Sequence, residues 1–134
     1  NTNPWEMYYR CPNSKAIGKA TLSGYAFEFK THANINPNKD QQVEGVLWEI
    51  TKTDEDMLDL LEGFPTYYTK RMVTVKHNDI EFIAMTYIMN PKSQSGGPHQ
   101  SYYTLVSEGY EHFGISQRQL LDALPIKYEP IDFN

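Results

Sequence analysis

The sequence predicts an α+β fold: a small mixed, mostly antiparallel β-barrel with short flanking helices. Three observations lead there. Apolar residues recur with period two over Tyr25, Phe27 and Phe29, and again over Val46, Trp48 and Ile50, as in half-buried strands. Two β-branched and aromatic runs, YYTKRMVTVK and IEFIAMTYIM, flank His77-Asn78-Asp79 and read as an antiparallel hairpin. Helical patterns are short and inserted between strands without regular alternation, which argues for α+β. Pattern alone leaves closure of the barrel open.

Taken in order, Asn3 as N-cap, Pro4 at the first helical position and Glu6 as capping-box partner predict a short helix that ends before Pro12. The run AIGKATLSGYAFEFK breaks at Ser23-Gly24 and continues as a strand with Tyr25, Phe27 and Phe29 on one side. HANINPNKDQQ, rich in Asn and Pro, reads as a loop, and the strand around Val46–Ile50 follows. Thr53 is the expected cap of a helix with Asp54, Glu55 and Asp56 in its first turn, where negative charge is favourable. Met57, Leu58 and Leu61 form its apolar face, and Gly63 its C-terminal stop. After the hairpin comes the polar, glycine-rich loop NPKSQSGGPHQ. Two helical patterns close the chain, one through Tyr102, Leu105, Val106, Tyr110 and Phe113, the other through Leu120, Leu121 and Leu124 after a Ser116 cap. With no repeat or linker, residues 1–134 read as a single domain.

Composition excludes several functions. The chain has 134 residues, a net charge of −5 and no run of Lys or Arg interleaved with aromatics, so nucleic acid is not an expected partner. Cys11 is the single cysteine, which rules out an intrachain disulfide and fits a reducing, cytoplasmic setting. His32, His77, His99 and His112 are scattered without metal-ligand spacing, and no metal is expected. No apolar run approaches the ~20 residues that cross a bilayer, so no membrane association is expected. The chain opens on NTNPWEM without an initiator methionine, and a preceding segment is expected.

The residue that invites chemistry is Glu62, in LDLLEGFPTYY. An acid in the last turn of a helix faces the negative end of the backbone dipole, and Asp59 one turn earlier adds like-charge repulsion. A carboxylate so placed holds its proton more tightly, a liability for stability and an advantage for proton transfer. Phe64, Pro65, Tyr67 and Tyr68 supply an apolar surround. The plain alternative, a surface acid screened by water, stands beside this on the residues alone. Asp59 reads as a supporting or structural acid. Tyr87, within MTYIM, reads either as a core tyrosine or as a site residue, and Tyr68 and Tyr102 sit beside the two loops that bracket the hairpin. VSEGY is not a nucleophile elbow, the glycines at 96 and 97 lack phosphate-cradle spacing, and nothing local activates Cys11.

Six segments, in order, resemble the γ-glutamylcyclotransferase family: RCPNSKAIGKATLSGYAFEF, ANINP, VEGVLWEI, LDLLEG, TYIM and PHQSYYTLVSEGYEHFG. The resemblance implies a small mixed barrel with a pocket for a γ-glutamyl group, using no metal or nucleotide. It places the catalytic acid/base on Glu62 and the substrate-binding tyrosines on Tyr68, Tyr87 and Tyr102. The family's first strand ends in a Y-G-S-N loop whose backbone donors hold substrate. Of that loop only Asn1 is present in this sequence, as a substrate-binding candidate. The implied reaction closes the γ-glutamyl group to 5-oxoproline and releases an amine or amino acid. A non-catalytic module binding a small γ-glutamyl-like ligand is the rival reading. A hydrolase using Asp59 and Glu62 is weaker, since groups one helical turn apart cannot flank a bond from opposite faces. The oligomeric state is not written in the sequence.

Overall fold

A computed structural model describes residues 1–91 and 96–125 of the chain. Its elements run α1 (Pro4–Arg10), β1 (Lys15–Lys30), β2 (His32–Glu49), α2 (Lys52–Glu62), β3 (Tyr68–His77), β4 (Ile80–Met89), α3 (Gln100–Phe113) and α4 (Arg118–Asp122). The four strands form one antiparallel sheet in the order β2-β1-β3-β4.

The sheet is open, so the expected barrel is corrected. At one end its two edges, β2 and β4, are joined through the side chain of Asn34. Met89 N–H donates to Asn34 Oδ1 at 2.8 Å, and Asn34 Nδ2 donates to Glu28 Oε2 at 2.6 Å. Asn34 is buried, and its amide does at this corner what a backbone ladder would do in a closed barrel.

The expected loop His32–Gln42 is also corrected: it belongs to β2 and pairs with β1 from Lys30↔His32 through Tyr25↔Pro37. Asn and Pro signalled a loop, but long cross-strand pairing to Phe27 and Phe29 overrides local propensity. Pro37 is tolerated because β2 is an edge strand. The break expected at Ser23-Gly24 is a bulge, with Gly24 at φ +85°, and β1 continues through it. The hairpin forms as predicted, with Asn78 and Asp79 both left-handed, at φ 49° and 65°.

In α1, Asn3 accepts from the Trp5 and Glu6 amides, while Glu6 lies 3.8 Å from Arg10 instead of returning to the cap backbone. The cap of α2 is Thr51, two residues earlier than expected, and Asp54 completes a reciprocal capping box with it. Of the expected apolar face only Leu58 is buried, while Met57 and Leu61 are exposed. Leu58 packs with Met7 and Cys11 into a small core over Trp48, Ile50 and Tyr87. Burial of a side chain such as Leu58 contributes about 1.5–3 kcal/mol. A second core joins α3 and α4 to β1 through Phe29, Val106, Tyr110, Ile115 and Leu120. Gln117 rather than Ser116 caps α4, although Ser116 Oγ accepts from the Arg118 amide. The glycine-rich loop is described only in part, since residues 92–95 lie outside the described residues. Among the described residues no helix is long and apolar enough to cross a membrane.

Candidate functional site

Glu62 is the last residue of α2, and the chain turns at Gly63, which takes the left-handed conformation at φ 67°. The Gly63 and Phe64 amides fold back on the Asp59 and Leu60 carbonyls, so the helix stops abruptly and leads straight into Tyr67 and Tyr68. Glu62 is half-buried, and its carboxylate makes no hydrogen bond or ion pair among the described residues.

The three tyrosines come each from a different element. Tyr68 opens β3 and donates to the Ala33 carbonyl at 2.8 Å. Tyr102, in the first turn of α3, accepts from the Ala33 amide at 3.0 Å. Ala33 sits on the free edge of β2, so the two phenols satisfy both of its outward backbone groups. Tyr87, on β4, donates to Asp59 Oδ1 at 2.5 Å. Burial pushes the hydroxyls of Tyr68, Tyr87 and Tyr102 above the ordinary phenol range, and the charge of Glu62 adds to the rise at all three. They are neutral hydrogen-bonding groups across the physiological range. Asn1 stands at the same cluster: its carbonyl accepts from Trp48 Nε1 at 2.8 Å, and its main-chain nitrogen lies within the field of Glu62. Glu62 thus lies within electrostatic range of Asn1, Tyr68, Tyr87 and Tyr102.

Residues 2–110 match the sequence model of the gamma-glutamyl cyclotransferase, AIG2-like family. The chain belongs to this family. No curated protein matches the sequence. Among solved structures, the chain is similar to uncharacterized protein loc79017 from Homo sapiens, with 23% identity, a TM-score of 0.82, and coverage of 100% of this chain and 86% of that one. It is equally similar to a gamma-glutamyl cyclotransferase, with 22% identity, TM-score 0.82, and coverage of 98% and 87%. YkqA from Bacillus subtilis follows at 22% identity and TM-score 0.73, over 83% of this chain and 46% of that chain. At these identities the likeness speaks for the fold.

Several members of the cluster were not foreseen in this γ-glutamyl cyclotransferase-family chain. Lys70 donates to Asp59 at 2.8 Å and to Glu55 at 2.5 Å, and its ammonium lies 4.6 Å from the centre of the Phe64 ring. Burial alone would raise the Asp59 pKa, but the hydrogen bonds from Lys70 and Tyr87 outweigh it and hold the carboxyl below its ordinary range. Glu55 and Asp59 share a helix face at i, i+4, a spacing that asks for a cation and could have pointed to Lys70. Arg10 adds positive charge near Asn1 and Tyr102. Ala33 gave no signal at all, because its role is carried by its backbone. A surface hollow of about 680 Å³, lined by Tyr103, Glu111 and Gln117, lies at the corner of α3 and α4, and Glu62 is not part of its lining.

Proposed function

We propose that the protein is a γ-glutamylcyclotransferase that converts the γ-glutamyl group of a γ-glutamyl amino acid or amine to 5-oxoproline and releases the amine. The observation that carries this reading is the carboxylate of Glu62, without a hydrogen bond or ion pair among the described residues and within electrostatic range of Tyr68, Tyr87, Tyr102 and the Asn1 main-chain nitrogen. Family membership supports it.

The chemistry needs little more. The substrate carries its own nucleophile, the α-amine, tethered five atoms round from the γ-carbonyl it attacks, so orientation supplies much of the rate. Glu62 takes the ammonium proton, the free amine attacks, and the new C–N bond gives a tetrahedral oxyanion. The ring nitrogen then carries one surplus proton. Glu62 returns its first proton to the leaving nitrogen as the C–N bond to that group breaks, takes the surplus proton from the ring nitrogen to leave the neutral lactam, and passes it to the departing amine.

The hydrogen bonds sort the tyrosines by role. Tyr68 and Tyr87 have committed their protons to Ala33 and Asp59, so each turns an acceptor oxygen to a ligand, suited to the substrate ammonium. Tyr102 accepts from Ala33 and keeps its proton to donate, which suits the developing oxyanion.

The test is mass-spectrometric detection of 5-oxoproline after incubation with a panel of γ-glutamyl amino acids and amines, with Glu62→Gln in parallel. Product from the wild type and not from the variant is the expected result. Equal turnover by Glu62→Gln overturns the role of Glu62. Thermal stabilisation by the panel without product from any member favours a binding module on the same fold.

A further inference from the structure

The tyrosines around Glu62 continue into a line of rings that the reaction itself does not use. Tyr87 meets Tyr68 with ring centroids 6.4 Å apart, Tyr68 meets Tyr67 at 5.2 Å, Tyr67 meets His32 at 6.4 Å, and His32 meets Tyr102 at 4.9 Å, all edge to face. Because Tyr68 and Tyr102 both close on Ala33, the line curves back on itself as an aromatic wall. Exposure rises along it, from Tyr68 at 7% to Tyr67 at 40% and on to exposed His32. The deep end is at Glu62 and the shallow end faces solvent.

The outer rings are held in place by backbone. The Tyr67 amide donates to the Gly63 carbonyl at 2.8 Å, and its own carbonyl accepts from the Asn90 amide at 2.9 Å. His32 follows Thr31, whose amide donates to the Gly96 carbonyl at 2.7 Å. Among the described residues, the ring contacts of Tyr67 and His32 are to each other, to Tyr68 and to Tyr102. The cation nearest along β3, Lys70, is already committed to Glu55 and Asp59.

Resting on the cyclotransferase reading, we infer that the leaving amine passes along this wall and that the preferred substrates are γ-glutamyl amides whose leaving group carries an apolar, above all aromatic, side chain. The γ-glutamyl part must sit at the buried end, where its reacting carbonyl reaches Glu62, so the leaving group has one direction in which to extend. There it meets ring edges and faces, which reward apolar area and edge-to-face contact.

The experiment is steady-state 5-oxoproline formation by the full chain from γ-glutamylphenylalanine, γ-glutamylleucine, γ-glutamylglycine, ε-(γ-glutamyl)lysine and glutathione. The expected result is a kcat/KM for the phenylalanine and leucine substrates at least about tenfold above that for glycine, expressed mainly in KM. Tyr67→Ala and His32→Ala should bring phenylalanine down towards the glycine value, while Tyr67→Phe, which keeps the ring, retains the preference. Equal kcat/KM for all substrates overturns the inference and leaves the cyclotransferase reading intact. So does a preference for the lysine substrate, which would assign the rings to a cation instead. A preference that survives Tyr67→Ala and His32→Ala together also overturns it. Absence of 5-oxoproline from every substrate overturns both readings.

Discussion

The two ends of α2 use a carboxylate in opposite ways. At the start, Asp54 is 2% exposed; its Oδ2 accepts from the Thr51 amide at 3.1 Å, and its own amide donates to Thr51 Oγ1 at 3.1 Å. Its carbonyl accepts from Cys11 Sγ, which ties α2 to α1. Here the helix dipole favours negative charge, and one carboxylate oxygen, the amide and the carbonyl of Asp54 are all engaged. At the other end Glu62 meets the unfavourable pole of the same dipole, and its carboxylate has no partner among the described residues. An acid that stabilises its own fold is engaged by it, whereas a carboxylate left open can serve a ligand. Asp59, one turn before Glu62, belongs with Asp54 in this respect, since Tyr87 and Lys70 take both of its oxygens.

Substitution at each end should separate the two behaviours. The largest effect is expected at Glu62→Gln, which keeps the shape and removes the proton shuttle. Turnover should fall by about 10²–10⁴-fold, the usual contribution of a general acid/base, with the urea midpoint unchanged or slightly raised. A large loss of stability with Glu62→Gln would place that carboxylate with Asp54 and erase the contrast. Asp54→Ala should do the reverse. It breaks the capping box and leaves the Thr51 amide without its acceptor, so unfolding free energy should drop by about 1–3 kcal/mol while turnover per folded molecule is kept. Urea denaturation followed by tryptophan fluorescence reads this directly, because Trp48 lies against the core beneath α2.

The hinge between Glu62 and the aromatic wall gives the next effect. Gly63 sits at φ +67°, and a β-carbon there would stand 3.1 Å from Tyr67 Cβ. Gly63→Ala should lower stability by about 1 kcal/mol. It should also raise KM, because the same turn sets the position of both Glu62 and Tyr67. A melting temperature equal to that of the wild type would show that the turn relaxes freely and does not hold the site.

Much of this contrast was legible in the sequence, and the part that was not has a physical reason. Glu62, Gly63 and the hairpin follow from local rules: dipole, left-handed stop and turn chemistry. The cap slipped from Thr53 to Thr51 because both are threonines ahead of acids, and only the reciprocal bond with Asp54 decides between them. Met57 and Leu61 looked like core residues by spacing, yet α2 rests on the sheet through the narrow stripe of Asp54 and Leu58 and leaves the others exposed. The edge strand through His32 and Ala33 was read as a loop because Asn and Pro speak locally, whereas its pairing with Phe27 and Phe29 and its clamping by Tyr68 and Tyr102 are tertiary. That error mattered most for the site, since it hid the backbone on which two of the tyrosines are hung. The resemblance to a known family named the tyrosines themselves, but not their hydrogen-bonding partners.

The smallest effect tests whether Asp59 is truly committed. Hydrogen bonds from Lys70 and Tyr87 outweigh the cost of burial and hold its pKa below the ordinary value, while the hydrogen bonds Lys70 donates to Asp59 and Glu55 raise its own. A depressed carboxyl contributes stability that is present above its unfolded pKa of about 3.9 and is lost as pH falls through the lower native value. A raised ammonium contributes stability that is present below about 10.4 and is lost as pH rises through its higher native value. The wild type should therefore lose stability on acidification below about pH 4 more steeply than Lys70→Met, with urea midpoints compared at matched ionic strength. The difference should be small, because this cluster is partly open to water. Tyr87→Phe should flatten the same acid limb less, since it leaves the Lys70 pair in place. If Lys70→Met keeps the full acid dependence, Asp59 is not held by Lys70, and Tyr87 has lost the fixed partner that turns its oxygen towards a ligand.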